Sequence, residues 1–202
     1  MAESGILVNC VVEGIVDEVV LRRLFASAGA KTGSVYGKNG KPHLLQKLRG
    51  YNQAAQHGRW LVLVDLNGDA DCAPPFRVRH LPDPARHMCF RVAVRAVEAW
   101  LLADMEEFAA FFGVAGSTIP QRPEQLENPK ETVVQLARKS RRKDVREHLP
   151  PRLGSGRKVG PLYTSYLSEF AAQHWRPGMA ARRSDSLRRC RQRLSELLGS
   201  PP

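Results

Sequence analysis

Hydrophobic residues follow two rhythms along this chain. Short continuous apolar runs occur at Gly5–Val12 (GILVNCVV), Trp60–Val64 (WLVLV) and His87–Val94 (HMCFRVAV). Runs of this length, rich in valine, read as strands, and near-continuous apolarity suits parallel strands covered on both faces. Elsewhere the spacing is helical. Val16, Val19, Val20, Leu24 and Phe25 share one helical face, and Gly29 suits its C-terminal end. Leu44, Leu45, Leu48 and Tyr51 mark a second helix reaching His57, and VEAWLLADMEEFAAFF (Val97 to Phe112) a third. The glycine- and lysine-rich stretch KTGSVYGKNGKP, residues 31–42, reads as a loop. After Pro129 the pattern predicts helices near 129–140, 161–174 and 184–198, interrupted by Pro150, Pro151 and GSGRKVGP.

The order strand, helix, loop, helix, strand, strand, helix over residues 1–113 predicts an α/β fold. Its sheet is expected to be mainly parallel, joined by right-handed crossovers and flanked by helices. Residues 114–202 read as a helical C-terminal region packed on it, entered through a Pro/Gly-containing connection at 114–128. No stretch approaches the roughly eighteen uncharged apolar residues of a membrane helix. The opening residues lack a basic segment and a small-residue cleavage site, so a cytoplasmic chain without a membrane anchor is expected. Cys10, Cys72, Cys89 and Cys190 form no C-x-x-C pair and read as free thiols. Cys72, His80, His87 and Cys89 match the spacing of no standard zinc module.

Charge changes the picture. Residues 1–137 carry 15 Lys/Arg and 15 Asp/Glu, whereas residues 138–202 carry 16 and 5, so the whole net charge of +11 lies in the last third. Such asymmetry fits a surface that meets phosphates. It also fits a solvated basic face or a dock for an acidic partner protein. The densest cluster is RKSRRKDVR, Arg138 to Arg146, and Arg182, Arg183, Arg188, Arg189, Arg191 and Arg193 surround the leucines of the last helical pattern. Arg138, Lys139, Arg141, Arg142, Lys143, Arg188 and Arg189 are the candidate contacts to nucleic-acid backbone, without sequence readout. Tyr163, Tyr166 and Trp175 could stack bases or pack between helices.

Against this basic background, acids gather after two strands. Glu13 follows the first strand and Asp17 comes one helical turn later. Asp65 ends the second, with Asp69 and Asp71 in the loop behind it. Ligands of open α/β sheets bind beyond the carboxyl ends of parallel strands. If the two strands are neighbours, Glu13, Asp17 and Asp65 converge. Converging carboxylates repel unless protons or a cation intervene. Mg²⁺ (or Mn²⁺) suits hard oxygen donors and supports phosphodiester hydrolysis. The alternative is that DLNGDAD is only a turn and that Glu13 and Asp17 favour a helix N-terminus. An EF-hand does not fit, since position twelve from Asp65 is Phe76, and neither does a Walker loop, since Asn39 follows Lys38.

Two segments, V-E-G-x-x-D-E-x-x-L-R-R-L and V-L-V-D-x-N-x-D-x-D-C, resemble the Toprim domain of topoisomerases, primases and the OLD (overcoming lysogenisation defect) nucleases. The chain is most similar to a bacterial domain-of-unknown-function family of stand-alone Toprim-like proteins, often encoded beside an AAA/ABC-type ATPase. FRVAVRAVEAWLLAD (Phe90–Asp104), NPK, GPLY and WRPGMAARRSDSLRRCRQRL extend the likeness over nearly the whole chain.

The resemblance implies a Toprim-like, Rossmann-like sheet. Glu13 takes the place of the Toprim glutamate, Asp17 that of the second OLD-type acid, and Asp65 that of the first aspartate of D-x-D. Asn67 stands where the second aspartate belongs. It offers a neutral oxygen but no charge, which leaves Asp69 or Asp71 to supply the missing carboxylate. Glu98, in the EAWLLAD segment, either completes the acidic site or is a helix-surface acid near Arg95. Lys130 either stabilises phosphate charge or is a surface lysine. The expected ligand set is therefore Glu13, Asp17, Asp65, Asn67, Asp69 and Glu98. The implied activity is metal-dependent DNA cleavage with an ATPase partner in phage defence, with homo-oligomer formation left open. A non-catalytic regulatory or nucleic-acid-binding subunit is the alternative, and a small-nucleotide phosphotransferase a third.

Overall fold

A computed structural model describes residues 5–199. Strand β1 (Leu7–Val12) runs into helix α1 (Ile15–Ser27), then strand β2 (Lys31–Gly37), helix α2 (Lys41–Ala54), strand β3 (Trp60–Asp65), helix α3 (Ala73–His80) and strand β4 (Met88–Ala93). All three pairings are parallel and the strand order is β2-β1-β3-β4. The chain thus leaves β1 toward β2, then returns past β1 to add β3 and β4. That reversal lies between β1 and β3, where the crossover helices change faces of the sheet.

Alternate residues of the central strands face two cores. Cys10, Leu61, Leu63 and Cys89 pack with Val20, Leu21, Leu24 and Phe25 of α1; Val11, Val62, Val64 and Phe90 pack with Leu44 and Leu48 of α2 and Phe76 of α3. Both faces of β3 and β4 are buried along their whole length, which explains their unbroken apolar runs. Each fully buried leucine or phenylalanine here contributes about 1.5–3 kcal/mol.

The first core also takes in the later helices: α4 (Val97–Ala103), α5 (Met105–Phe112), α6 (Pro129–Arg138), α7 (Lys143–His148), α8 (Tyr163–Glu169), α9 (Pro177–Ala180) and α10 (Asp185–Leu198). Leu187, Cys190, Leu194 and Leu198 of α10 belong to it, so the amphipathic spacing of the last helix serves packing. No helix among the described residues is long and apolar enough to cross a membrane.

Five local expectations are corrected. Residues 31–37 are strand β2, not loop. This edge strand is only partly buried and carries a bulge opposite Asn9, whose Oδ1 accepts the Ser34 N–H at 2.9 Å. It closes at Gly37, where φ is 92° and a Cβ would stand 2.2 Å from the Val12 carbonyl oxygen. Helix α3 lies in a stretch for which the sequence pattern predicts no element; Pro74 and Pro75 occupy its first turn, where no N–H is required. The segment Val97–Phe112 is two helices, broken at Asp104. The buried Asp104 carboxylate accepts the Arg176 backbone N–H at 2.8 Å and its guanidinium at 2.7 Å. Finally, α7 forms inside the basic cluster, and the 161–174 helix is α8 followed by a wider π turn at Phe170–His174.

Candidate functional site

The site is built at the carboxyl ends of β1 and β3. Glu13 leaves β1 just past its last residue, and its Oε1 accepts the Asp65 backbone N–H at 2.7 Å. One side chain thereby ties the two strand ends together. The chain then turns at Gly14 into α1. Asp17, third residue of that helix, reaches back so that its Oδ2 accepts the Gly14 N–H at 2.6 Å. This is the carboxylate half of a capping box, favoured by the helix dipole. Helix capping and the acidic site are therefore two roles of one residue.

Asp65 ends β3 at 6% exposure, and its Oδ1 accepts the Val97 N–H at 2.9 Å. That bond starts α4 over the strand end and carries Glu98 into the same cleft. Glu98 is 1% exposed. Its Oε1 accepts the Tyr163 hydroxyl at 3.2 Å and lies 3.5 Å from Lys130 Nζ. Lys130 is placed by the NPK segment: Asn128 Oδ1 caps α6 through the Glu131 N–H at 3.1 Å, and Pro129 opens the helix. Glu13, Asp17, Asp65, Glu98, Lys130 and Tyr163 line one cleft of about 450 Å³.

Electrostatics follow from this crowding. Burial, then repulsion by Glu98 and Glu13, pushes Asp17 up to about 7. Asp65 is raised well above the usual carboxylate range by burial and then by Asp17, Glu98 and Glu13. Glu13 is raised by burial, although the Asp65 N–H and the nearby lysines pull it back. At Lys130 burial favours the neutral amine, but Glu98, Asp65 and Asp17 outweigh it and hold the ammonium. The Tyr163 phenol is raised far above its ordinary value by burial and Glu98, so it stays a donor.

A divalent cation suits these donors in kind. Each carboxylate spends one oxygen on a protein donor. The second oxygen of Glu98, Oε2, is buried and has no partner. An unpartnered buried carboxylate oxygen on a residue that Asp17 and Asp65 feel is costly unless a proton or a hard cation meets it. No three His, Cys, Asp or Glu among the described residues are placed to hold a metal ion together. Mg²⁺ commonly uses one or two carboxylates and completes its shell with water and substrate oxygens.

The other expected ligands lie elsewhere. Asn67 is exposed and does not line the cleft. It holds a left-handed turn, φ 50°, with its N–H donating to the Arg95 carbonyl at 2.7 Å. Asparagine tolerates that conformation well, a local reason for its presence. It borders a neighbouring cavity with Asn128, Lys130 and Lys158. Asp69 points to Lys41, 2.7 Å from its Nζ, and Asp71 borders a cavity with Arg77 and Arg91. Neither replaces a missing D-x-D carboxylate within the cleft.

The expected nucleic-acid contacts divide. Arg138, Lys139 and Arg141 are exposed and make no ion pair among the described residues. Arg142 is used structurally: it donates to the Phe111 carbonyl at 2.7 Å, pairs with Asp144 and lies over the Phe111 and Tyr166 rings. Lys143 is exposed, 3.9 Å from Glu147, and Arg188 and Arg189 both pair with Asp185. Tyr163 and Trp175 are buried among helices, so they do not stack bases.

Tyr163 is the site residue that sequence reasoning assigned no role in the cleft. It lies 65 positions from Glu98. Its placement depends on Gly160, where a Cβ would stand 2.2 Å from the His148 carbonyl oxygen. Comparison with protein-family models, curated proteins and solved structures found no match.

Proposed function

We propose that this chain is a divalent-metal-dependent phosphodiesterase of the Toprim type. Its substrate would be nucleic acid, DNA in the first instance, and its partner an AAA/ABC-type ATPase in phage defence. One observation carries this reading: four carboxylates and one lysine, Glu13, Asp17, Asp65, Glu98 and Lys130, share a cleft at the carboxyl ends of β1 and β3. Beyond chemistry common to α/β sheets, the Toprim assignment, the DNA substrate and the ATPase partner rest on the sequence resemblance.

Glu13, Asp17, Asp65 and Glu98 would hold the ion. When bound, Mg²⁺ or Mn²⁺ supplies Lewis acidity and neutralises charge for phosphodiester hydrolysis. The chain's own groups do the rest. Lys130 holds a positive charge beside the carboxylates and offsets charge developing on a phosphate oxygen. Tyr163 donates to Glu98 and fixes which of its oxygens faces the cleft. Lys158, in the adjoining cavity with Lys130, extends positive charge along a path for the phosphodiester backbone. Arg138, Lys139 and Arg141 would add sequence-independent contacts.

A second reading has its own support. Asn67 serves a turn, Asp69 serves Lys41, and no closed metal cage is formed among the described residues. These features favour a regulatory or nucleic-acid-binding subunit without catalysis. Supercoiled plasmid incubated with the chain in Mg²⁺ and in Mn²⁺, beside Glu13→Ala and Asp65→Ala, separates the two. Cleavage lost in both variants supports the enzyme. Absence of cleavage, persisting when the ATPase is supplied, supports the subunit.

A further inference from the structure

A second cavity, about 320 Å³, opens between α3, β4 and α10, and none of its lining residues borders the carboxylate cleft. Arg91 stands on β4 between Phe90 and Val92, which pack into the core shared with α2 and α3. By strand alternation Arg91 projects with Cys89 and Ala93, toward α10. It is 7% exposed, its Nε is buried without a hydrogen-bond partner, and it borders the cavity. Its polar neighbour on α10 is the Cys190 thiol, a weak acceptor. Arg77 of α3 borders the same cavity, and its Nε is likewise buried and unpartnered.

Neither arginine has an acidic partner within ion-pair distance among the described residues. The acids that border the cavity are engaged or peripheral. Asp185 pairs with Arg188 and Arg189, Glu124 Oε1 accepts the Ser184 and Ser186 hydroxyls, and Asp71 is exposed. Two like-charged guanidinium groups, one of them buried, border one cavity without an acidic partner in an ion pair. Burial and Arg91 both pull Arg77 below its ordinary value. An oxyanion in the cavity would meet the guanidinium edges that border it, whose geometry matches phosphate.

We propose that the cavity between α3, β4 and α10 binds a phosphate-class oxyanion on Arg77 and Arg91, either free phosphate or the phosphoryl group of a nucleoside monophosphate. The volume lies at the small end of ligand pockets, roughly 300 Å³ and upward, which favours a small ligand. The proposal is independent of the carboxylate cleft and of the function assigned to it.

The test uses the whole chain at constant ionic strength in chloride, titrated calorimetrically with inorganic phosphate and with AMP. The expected result is saturable binding of at least one probe, weakened about tenfold or more in Arg91→Met and in Arg77→Met. The probe that binds more tightly identifies the source of the phosphoryl group. In chloride alone, Arg91→Met is expected to melt at or above the wild-type temperature, since it removes an uncompensated buried charge. If Arg91→Met does not fold, the half-buried Arg77→Met decides alone. Absence of binding by both probes overturns the proposal, and so does binding that both variants retain, which would mark general attraction to a basic surface.

Discussion

The Glu13 carboxylate accepts the backbone N–H of Asp65 at 2.7 Å, so the acid that ends β1 also orders the acid that ends β3. Two variants separate these roles. Glu13→Gln keeps an acceptor and removes a charge that raises Asp17 and Asp65. Glu13→Ala leaves the Asp65 N–H without its partner, at a cost of about 1–3 kcal/mol. In metal-free urea denaturation, Glu13→Gln should therefore be more stable than Glu13→Ala by about 1 kcal/mol or more. Equal stability would remove the tie between the strands.

The raised acids set a pH dependence. Asp17 titrates at about 7 in the folded chain against 3.8 for the ordinary group. Between those values the folded state binds more protons than the unfolded state, so stability falls as pH rises. Metal-free melting temperatures are expected to decline from about pH 4 to about pH 7. Asp17→Asn should flatten that slope, and Mg²⁺ should offset it at the upper end.

Lys130 carries the next expectation. Its ammonium lies 3.5 Å from Glu98 and competes with any bound cation. Lys130→Met should lower plasmid cleavage by about 10²–10³, the typical loss of one transition-state donor. Manganese affinity in the same variant should hold or rise. A parallel loss of both would make Lys130 structural.

In the proposed nucleic-acid binding, Arg138, Lys139 and Arg141 are expected to matter more than Arg142, which the fold already uses. Replacing those three by alanine should weaken binding regardless of sequence. It should also reduce the slope of log K against log salt by up to about 3. Fluorescence anisotropy with a labelled duplex at several salt concentrations measures both. An unchanged slope would place the nucleic acid elsewhere.

Much of this was legible in the sequence because it depends on local pattern. β1, β3 and β4 announce themselves as apolar runs, since both faces of their strands are covered. Glu13, Asp17 and Asp65 could be placed because they immediately follow strands or open a helix. β2 was hidden: an edge strand buries little, so KTGSVYG carries glycines and polar residues that read as loop. Asp69 could not be excluded from the cleft, because its Lys41 partner is 28 positions away. Tyr163 carried no signal for its contact with Glu98, which only tertiary packing creates. Arg91 looks like one basic residue among many, and only its burial singles it out.

Glu13, Asp17, Asp65 and Glu98 are proposed to form one cation site, and direct Mn²⁺ titration of the metal-free chain tests it. Electron paramagnetic resonance of free Mn²⁺ gives the bound fraction without requiring activity. The expected result is saturable binding in the wild type that Asp65→Asn and Glu98→Gln each abolish, while Asp69→Asn leaves it intact. Binding that survives in Asp65→Asn and Glu98→Gln, or no binding by the wild type, would contradict the site.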